Sequence, residues 1–346
     1  MADTSAASAW SREDLAERLV RYRNLVPCTT AFVDTRTPGS DRKENFTIIG
    51  PGVSESPDQH VHLDIPHGFN IGGARQPPHC TNSQHSHDTA EVFVVHSGRW
   101  AFYLGENADG ARVELAPGDT ISVPVHVFRG FENIGGDIGF MFAVLGGDDP
   151  GRVTWAPYVF EAAKRSGLLL LENGSLVDLA RGQTVPEGST EMAPTTAEQA
   201  ASFRRLDSEA LRRCVVAADE AAAAGNSLLA ADGIGETPII GAARADGMPP
   251  GKLDWPHGFQ LRKLVLQPGT RTVAHTRPQE EVLLMHRGSL NIAVDDCRFE
   301  LDPGDVMSIP IGRPRRYGNA AGKPCTIYIV DGGESPQGYR HAQITG

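Results

Sequence analysis

The chain is written twice. The segment Asp64-Ile-Pro-His-Gly-Phe69 recurs as Asp254-Trp-Pro-His-Gly-Phe259, 190 positions later. The same offset carries His85 to His275, Glu91 to Glu281 and Gly98 to Gly288. Further along, Gly118-Asp119, Pro124, Arg129 and Asn133 recur as Gly304-Asp305, Pro310, Arg315 and Asn319, at an offset of 186. The first copy therefore holds four extra residues, which fall in the turn-rich stretch Gly105–Gly110, where insertions are cheap. A duplication of this extent predicts two similar folded units. The 346 residues are enough for both, at about 150 residues per domain. We expect an N-terminal domain over 1–190 and a C-terminal domain over 191–346.

Within each copy the pattern is β. Glu91–Gly98 and Trp100–Leu104 read as two strands meeting near a glycine, with Trp100, Phe102 and Leu104 on one face. Ala116-Pro-Gly-Asp119 reads as a turn, and Thr120–Val123 as a short strand stopped by Pro124. Leu168–Leu176 resembles a hairpin about Asn173-Gly174. With 38 glycines and 24 prolines, the chain has the turns that many short strands require. The expected architecture is mainly β, a small barrel or sandwich in each copy, with a few flanking helices. One helix is expected after Ser11, carrying Leu15, Leu19 and Val20. Another is expected in the Ala-rich stretch 195–225, with Leu206, Leu211 and Val215 on one face, leading into the second copy.

Several functions are argued against. A net charge of −11 is the wrong sign for a nucleic-acid partner. No run reaches the ~20 apolar residues of a membrane span, and the longest, Leu168–Leu171, is cut by Glu172. The first residues lack the basic and apolar regions of a secretory signal. The five cysteines form no CxxC pair and read as reduced thiols, so a cytoplasmic setting is expected. A small-molecule substrate is the expected partner.

The chemistry lies in His85-Ser-His87-Asp-Thr-Ala-Glu91. Residues two apart on a strand share a face, so His85 and His87 point the same way. After a turn, Glu91 can join them from the next strand. Two imidazoles and a carboxylate suit Fe, Mn, Ni, Cu or Zn.

These residues resemble the first motif of the cupin superfamily, G-x5-H-x-H-x3,4-E-x6-G, which fits from His85 through Gly98 without its leading glycine. The second motif, G-x5-P-x-G-x2-H-x3-N, fits at Gly118, Pro124 and Asn133. It departs at His126, where the family has Gly, and at Arg129, where it has its last metal-binding His. The resemblance covers roughly residues 60–145 and 250–332. It implies two double-stranded β-helix (cupin, jelly-roll) barrels, a bicupin. The second copy keeps His275, Glu281 and Gly312 but has Arg277 for the second His and Arg315 for the last, so it is expected to be degenerate and metal-free.

The expected site therefore holds one divalent metal in the first barrel, Fe(II) first among the candidates, on His85, His87 and Glu91, with His126 as a further ligand. Glu91 is expected to act as ligand or base. By strand parity Arg129 points inward, to clamp a substrate carboxylate. Phe93, Val95, Trp100, Phe102 and Phe131 are expected to wall the pocket, with His79 at its mouth. His67 and His257, present in both copies, are expected to be structural. The architecture resembles gentisate 1,2-dioxygenase-like ring-cleaving enzymes, and germin-like and quercetinase-like cupins keep the Glu. The resemblance implies a metal-dependent dioxygenase that uses O2 on a small oxygenated, aromatic or acidic substrate, as a dimer or higher homo-oligomer. Two alternatives are a non-redox isomerase, lyase or decarboxylase, and a non-catalytic small-molecule-binding bicupin.

Overall fold

The computed structural model describes residues 10–220, 227–245, 247–333 and 338–344. Each copy builds two facing sheets, antiparallel except for the edge strand Val61–Leu63, which runs parallel to Glu44–Ile49. In the first, one sheet runs Val215–Val216, Thr120–Val123, Glu91–Ser97, Gly139–Gly146, Phe69–Gln76, Glu44–Ile49 and Val61–Leu63. The other runs Val153–Trp155, Thr81–His87, Arg129–Asn133, Trp100–Leu104 and Arg112–Leu115. The second copy repeats both orders: Leu19–Val20, Val306–Ile309, Glu281–Arg287, Cys325–Gly332, Phe259–Leu266, Ile234–Ile240; and Cys297–Leu301, Leu290–Val294, Arg315–Gly318, His275–Thr276, Arg340–His341. Residues paired in one copy are paired in the other. Phe131 faces Phe102 across the ladder, and Tyr317 faces Ile292. The two offsets of the sequence repeat are thus the spatial correspondence.

The compact units are not the sequence halves. One is Leu25–Ala221; the other joins Met1–Asn24 to Ala222–Gly346. The expected boundary at 190 falls inside the first unit. The reason is the short helix-strand arm that precedes each copy. The helix Arg12–Glu17 is capped by Ser11 and Asp14 in a reciprocal capping box, and buries Leu15 in the core of the second unit. The strand Leu19–Val20 then pairs with Met307 and Val306. In the first unit, the helix Ser208–Arg213, capped by Asp207, leads to Val215–Val216, which pairs with Ile121 and Thr120. Each arm closes the sheet edge of the copy it does not precede, and so covers backbone groups an edge strand would leave unpaired.

The expected helix over 195–225 is instead two short ones, Ala197–Ser202 and Ser208–Arg213, in the described part of that stretch. The backbone turns extended at Phe203, and Asp207 starts a new cap, so local capping overrides alanine propensity. The hairpin Leu168–Leu170 with Leu176–Asp178 forms as the Asn-Gly turn predicts. His67 and His257 play matching roles, each placing Nδ1 2.5 Å from the carbonyl two residues earlier, Ile65 and Trp255. Among the described residues no helix is long and apolar enough to cross a membrane.

Candidate metal centre

His85 and His87 lie on the strand Thr81–His87, and Glu91 opens the strand Glu91–Ser97 of the facing sheet. The turn Asp88–Ala90 carries the chain from one sheet to the other, so the short spacing in sequence brings both sheets to one point. All three side chains are buried. Glu91 Oε2 lies 3.5 Å from His87 Nε2 and 3.8 Å from His85 Nε2. Among the described residues this trio is the group whose donor atoms could share a metal, all within 4.8 Å of one another.

The protonation states favour ligation. His85 Nδ1 lies 2.7 Å from the Ser83 carbonyl, so that nitrogen donates and Nε2 keeps its lone pair toward Glu91. Burial lowers the pKa of both imidazoles, that of His87 well below the ordinary value, and holds them neutral. Burial alone would raise the Glu91 carboxyl, but the polar imidazole edges of His87 and His85 and the charge of Arg129 outweigh it and hold the group well below the ordinary carboxylate range. Two neutral nitrogens and one ionised carboxylate are the donor set a divalent first-row metal needs, and the residues present fit one.

Arg129 is fully buried and its Nη2 donates to Glu91 Oε2 at 2.6 Å. It points inward, as parity predicts, but it does not line the cavity beside the trio. Instead of facing open space for a substrate carboxylate, its fork is engaged by Glu91, with longer contacts to the His85 and Val127 carbonyls at 3.4 and 3.5 Å. The pairing balances a buried carboxylate.

His126 is not brought to the trio. It sits exposed on a turn at φ 56°, with its ring against Phe203 at 5.6 Å. Its counterpart Gly312 has φ 71°, so the position demands left-handed backbone and His126 meets that demand with its side chain turned away. His79, also at positive φ, is exposed and 3.3 Å from Glu132, and does not line the cavity.

The cavity holds about 70 Å³. Phe93 and Phe131 line it, as expected; Trp100 and Phe102 do not. Those two pack deeper, Trp100 against Phe131 at 5.8 Å and Phe102 against Phe93 at 5.2 Å, and fill the barrel below the site. Inward parity selects the barrel interior, whereas only residues at the level of the trio see the cavity. Sequence reasoning missed the rest of the wall: Gly72, Gly73, Ala74, Ala143, Val153 and Trp155, with Phe32, Val53 and Ser54 from the loops before it. Trp155 flanks His85 at 5.4 Å and donates from Nε1 to the buried Glu55 at 2.6 Å.

A signal for this wall was present in the repeat. By the two offsets, Gly72 corresponds to Arg262, Leu145 to Asp331 and Val153 to Tyr339. In the second barrel these larger groups fill the interior. Glu281 meets Arg262 and Tyr317 in short hydrogen bonds and Arg315 at 3.3 Å, and Arg277 Nε approaches it at 3.9 Å. Tyr339 stacks on Arg277 at 4.5 Å and donates to Glu236 at 2.8 Å. Burial also lowers the His275 pKa, to about 3.

The comparisons with known proteins agree with this fold. A family model described as "Cupin domain" matches residues 74–145 and again 262–331. The chain is a bicupin. No curated protein matches its sequence. Among solved structures, the bicupin is similar to oxalate decarboxylase of Lactobacillus farciminis, solved as a formate complex, with TM-score 0.55 and 12% identity over 93% of this chain and 88% of that one. It is also similar to a deletion mutant of the Bacillus subtilis oxalate decarboxylase, with TM-score 0.55 and 10% identity over 98% and 81%. At such identities the likeness concerns the fold.

Proposed function

We propose that the first barrel binds one divalent metal through His85, His87 and Glu91, and that the holoprotein is an enzyme cleaving a small organic anion without net oxidation, as a decarboxylase or related lyase. The observation that carries this reading is the charge balance at the cavity. Arg129 cancels the charge of Glu91, and both imidazoles are neutral. A bound divalent cation therefore keeps its full excess of positive charge, facing a wall of Phe93, Phe131, Val153 and Trp155. Such a site attracts an anion and holds it with little water. The metal would supply Lewis-acid stabilisation of the developing negative charge.

Size supports the same class. A cavity of about 70 Å³ offers on the order of five water-sized positions. That suits a compact mono- or dicarboxylate better than a substituted aromatic ring. The similar solved structures include oxalate decarboxylases, which supports the non-redox alternative by fold analogy only. The dioxygenase expectation keeps one argument of its own: two histidines and a carboxylate leave open metal positions where O2 can bind. In the proposed reading the second barrel is metal-free, because Arg277 stands where His87 stands and guanidinium groups already hold Glu281. The unbridged cysteines fit the expected cytoplasmic setting.

The test is turnover of metal-stripped protein reloaded with Mn(II) or Fe(II), given oxalate and other small dicarboxylic and 2-oxo acids. Release of CO2 without net O2 uptake supports the proposal. O2 consumption with both oxygen atoms incorporated into product establishes the dioxygenase instead. Tight acid binding with neither product leaves a binding protein.

A further inference from the structure

On a chain of net charge −11, one groove is basic. It lies wholly in the second unit, on the outer face of the sheet that contains Leu290–Val294 and Arg315–Gly318. Its volume is about 880 Å³, within the range of small-molecule sites. Five arginines line it, Arg12, Arg21, Arg271, Arg298 and Arg316, against one acidic residue, Glu300.

Two of these guanidiniums are preoriented. Arg12 Nη1 donates to the Arg298 carbonyl at 2.6 Å and lies over the Phe299 ring at 4.9 Å. Arg21 Nη1 donates to the Glu300 carbonyl at 2.7 Å and to Asp305 at 2.6 Å. Asp305 cancels the charge of Arg21 but leaves that of Arg12. Arg271 and Arg316 have no ion-pair partner among the described residues.

The repeat shows how the groove became basic: the corresponding face of the first barrel also holds a groove, of about 450 Å³, lined by Thr81, Tyr103 and Glu132 and by no arginine. The corresponding face of the first barrel carries Thr81, Tyr103, Gly130 and Glu132 where the second has Arg271, Ala293, Arg316 and Gly318. In the first barrel the Gln84 amide crosses Gly130, bonding the carbonyls of Tyr103 and Gly105, and Tyr103 donates to Glu132. The second barrel has Ala274 in place of Gln84. Bulk and negative charge are removed from the floor, and arginines are added at the rim. A scattered surface charge pattern would not produce both changes on one face.

We propose that this groove binds a compact polyanion, a di- or triphosphate chain. Closely set guanidinium forks match phosphate oxygens two at a time, and the small floor residues let the chain approach the sheet. The phosphate chain could be free or carried by a nucleotide. The recognising chemistry is the same, and the experiment separates them.

The measurement is isothermal titration of the full-length protein with inorganic triphosphate, ATP and a short single-stranded oligonucleotide, near 0.1 M salt. We expect triphosphate to bind with one site per chain. Arg271→Ala and Arg316→Ala, both changes at the surface, should each weaken it roughly tenfold, as loss of a charged hydrogen-bonding pair does. Equal affinity for ATP assigns recognition to the phosphates alone, and tighter ATP binding adds the nucleoside. Absence of triphosphate binding overturns the proposal. So does oligonucleotide binding without triphosphate binding, or triphosphate affinity unchanged in the Arg271→Ala, Arg316→Ala double variant with the fold intact by circular dichroism.

Discussion

Replacing Arg129 by Met removes one charge while keeping much of the side-chain volume. Its Nη2 is 2.6 Å from Glu91 Oε2, the arginine is fully buried, and the carboxylate is nearly so. In the metal-free protein, Arg129→Met leaves the Glu91 carboxyl buried beside two neutral imidazoles, with no cation in contact to hold its charge. Breaking a buried pair in this way costs about 3–5 kcal/mol. In a domain of 150–250 residues, each kcal/mol moves Tm by roughly 2–4 °C, so the stripped variant should melt roughly 6–20 °C below the stripped parent. A divalent ion restores the missing positive charge. Mn(II) should therefore raise the Tm of Arg129→Met by more than it raises that of the parent. Scanning calorimetry of both proteins, stripped and reloaded, measures all four values. If the stripped variant melts within roughly 2 °C of the stripped parent, Arg129 does not balance Glu91 and the charge argument for an anionic substrate fails.

Elemental analysis should give about one tightly held metal per chain in the parent and in His275→Ala, and almost none in His87→Ala; this ratio follows from two imidazoles and a carboxylate in one barrel, against a single imidazole and a Glu281 held by Arg262 and Arg315 in the other. Val153→Tyr copies Tyr339 into the first barrel; it should leave metal content unchanged, abolish binding of the small acid, and cost about 1–3 kcal/mol through overpacking. Burial raises the Glu55 pKa to about 8 from an ordinary 4.5. The folded protein then holds a proton that the unfolded chain releases between those values, so stability from this group is fully present below pH 4.5 and is lost as pH rises toward 8, by about 1.4 kcal/mol per pH unit at most. Denaturation across that window should show a shallower loss in Glu55→Gln, though Gln sets an amide N–H against the Trp155 or Val33 donor and lowers stability throughout.

The strands and the trio were legible because period-two patterning and a two-residue spacing fix which side chains share a face. His85, His87 and Glu91 needed nothing more than parity and one turn to meet. What parity could not give was depth along the barrel, so Trp100 and Phe102 were expected at a cavity they lie beneath. His126 misled because a residue at a glycine position invites a functional reason, whereas its backbone merely occupies the left-handed region. The exchanged arms were illegible for a different reason. Leu19–Val20 and Val215–Val216 carry no mark of which sheet edge they complete, and proximity in sequence points to the wrong one. The small residues that make the cavity were readable, but only by comparing the copies position by position: Gly72 against Arg262, Val153 against Tyr339.

The central claim is that one metal sits in the first barrel on three named side chains. Anomalous diffraction from crystals of the Mn(II)-loaded protein tests it directly. The account predicts a single strong peak per chain, roughly 2.0–2.3 Å from His85 Nε2, His87 Nε2 and a Glu91 carboxylate oxygen, with Arg129 still on the carboxylate. A peak beside His275 and Glu281, or none in either barrel despite bound manganese in solution, would contradict it.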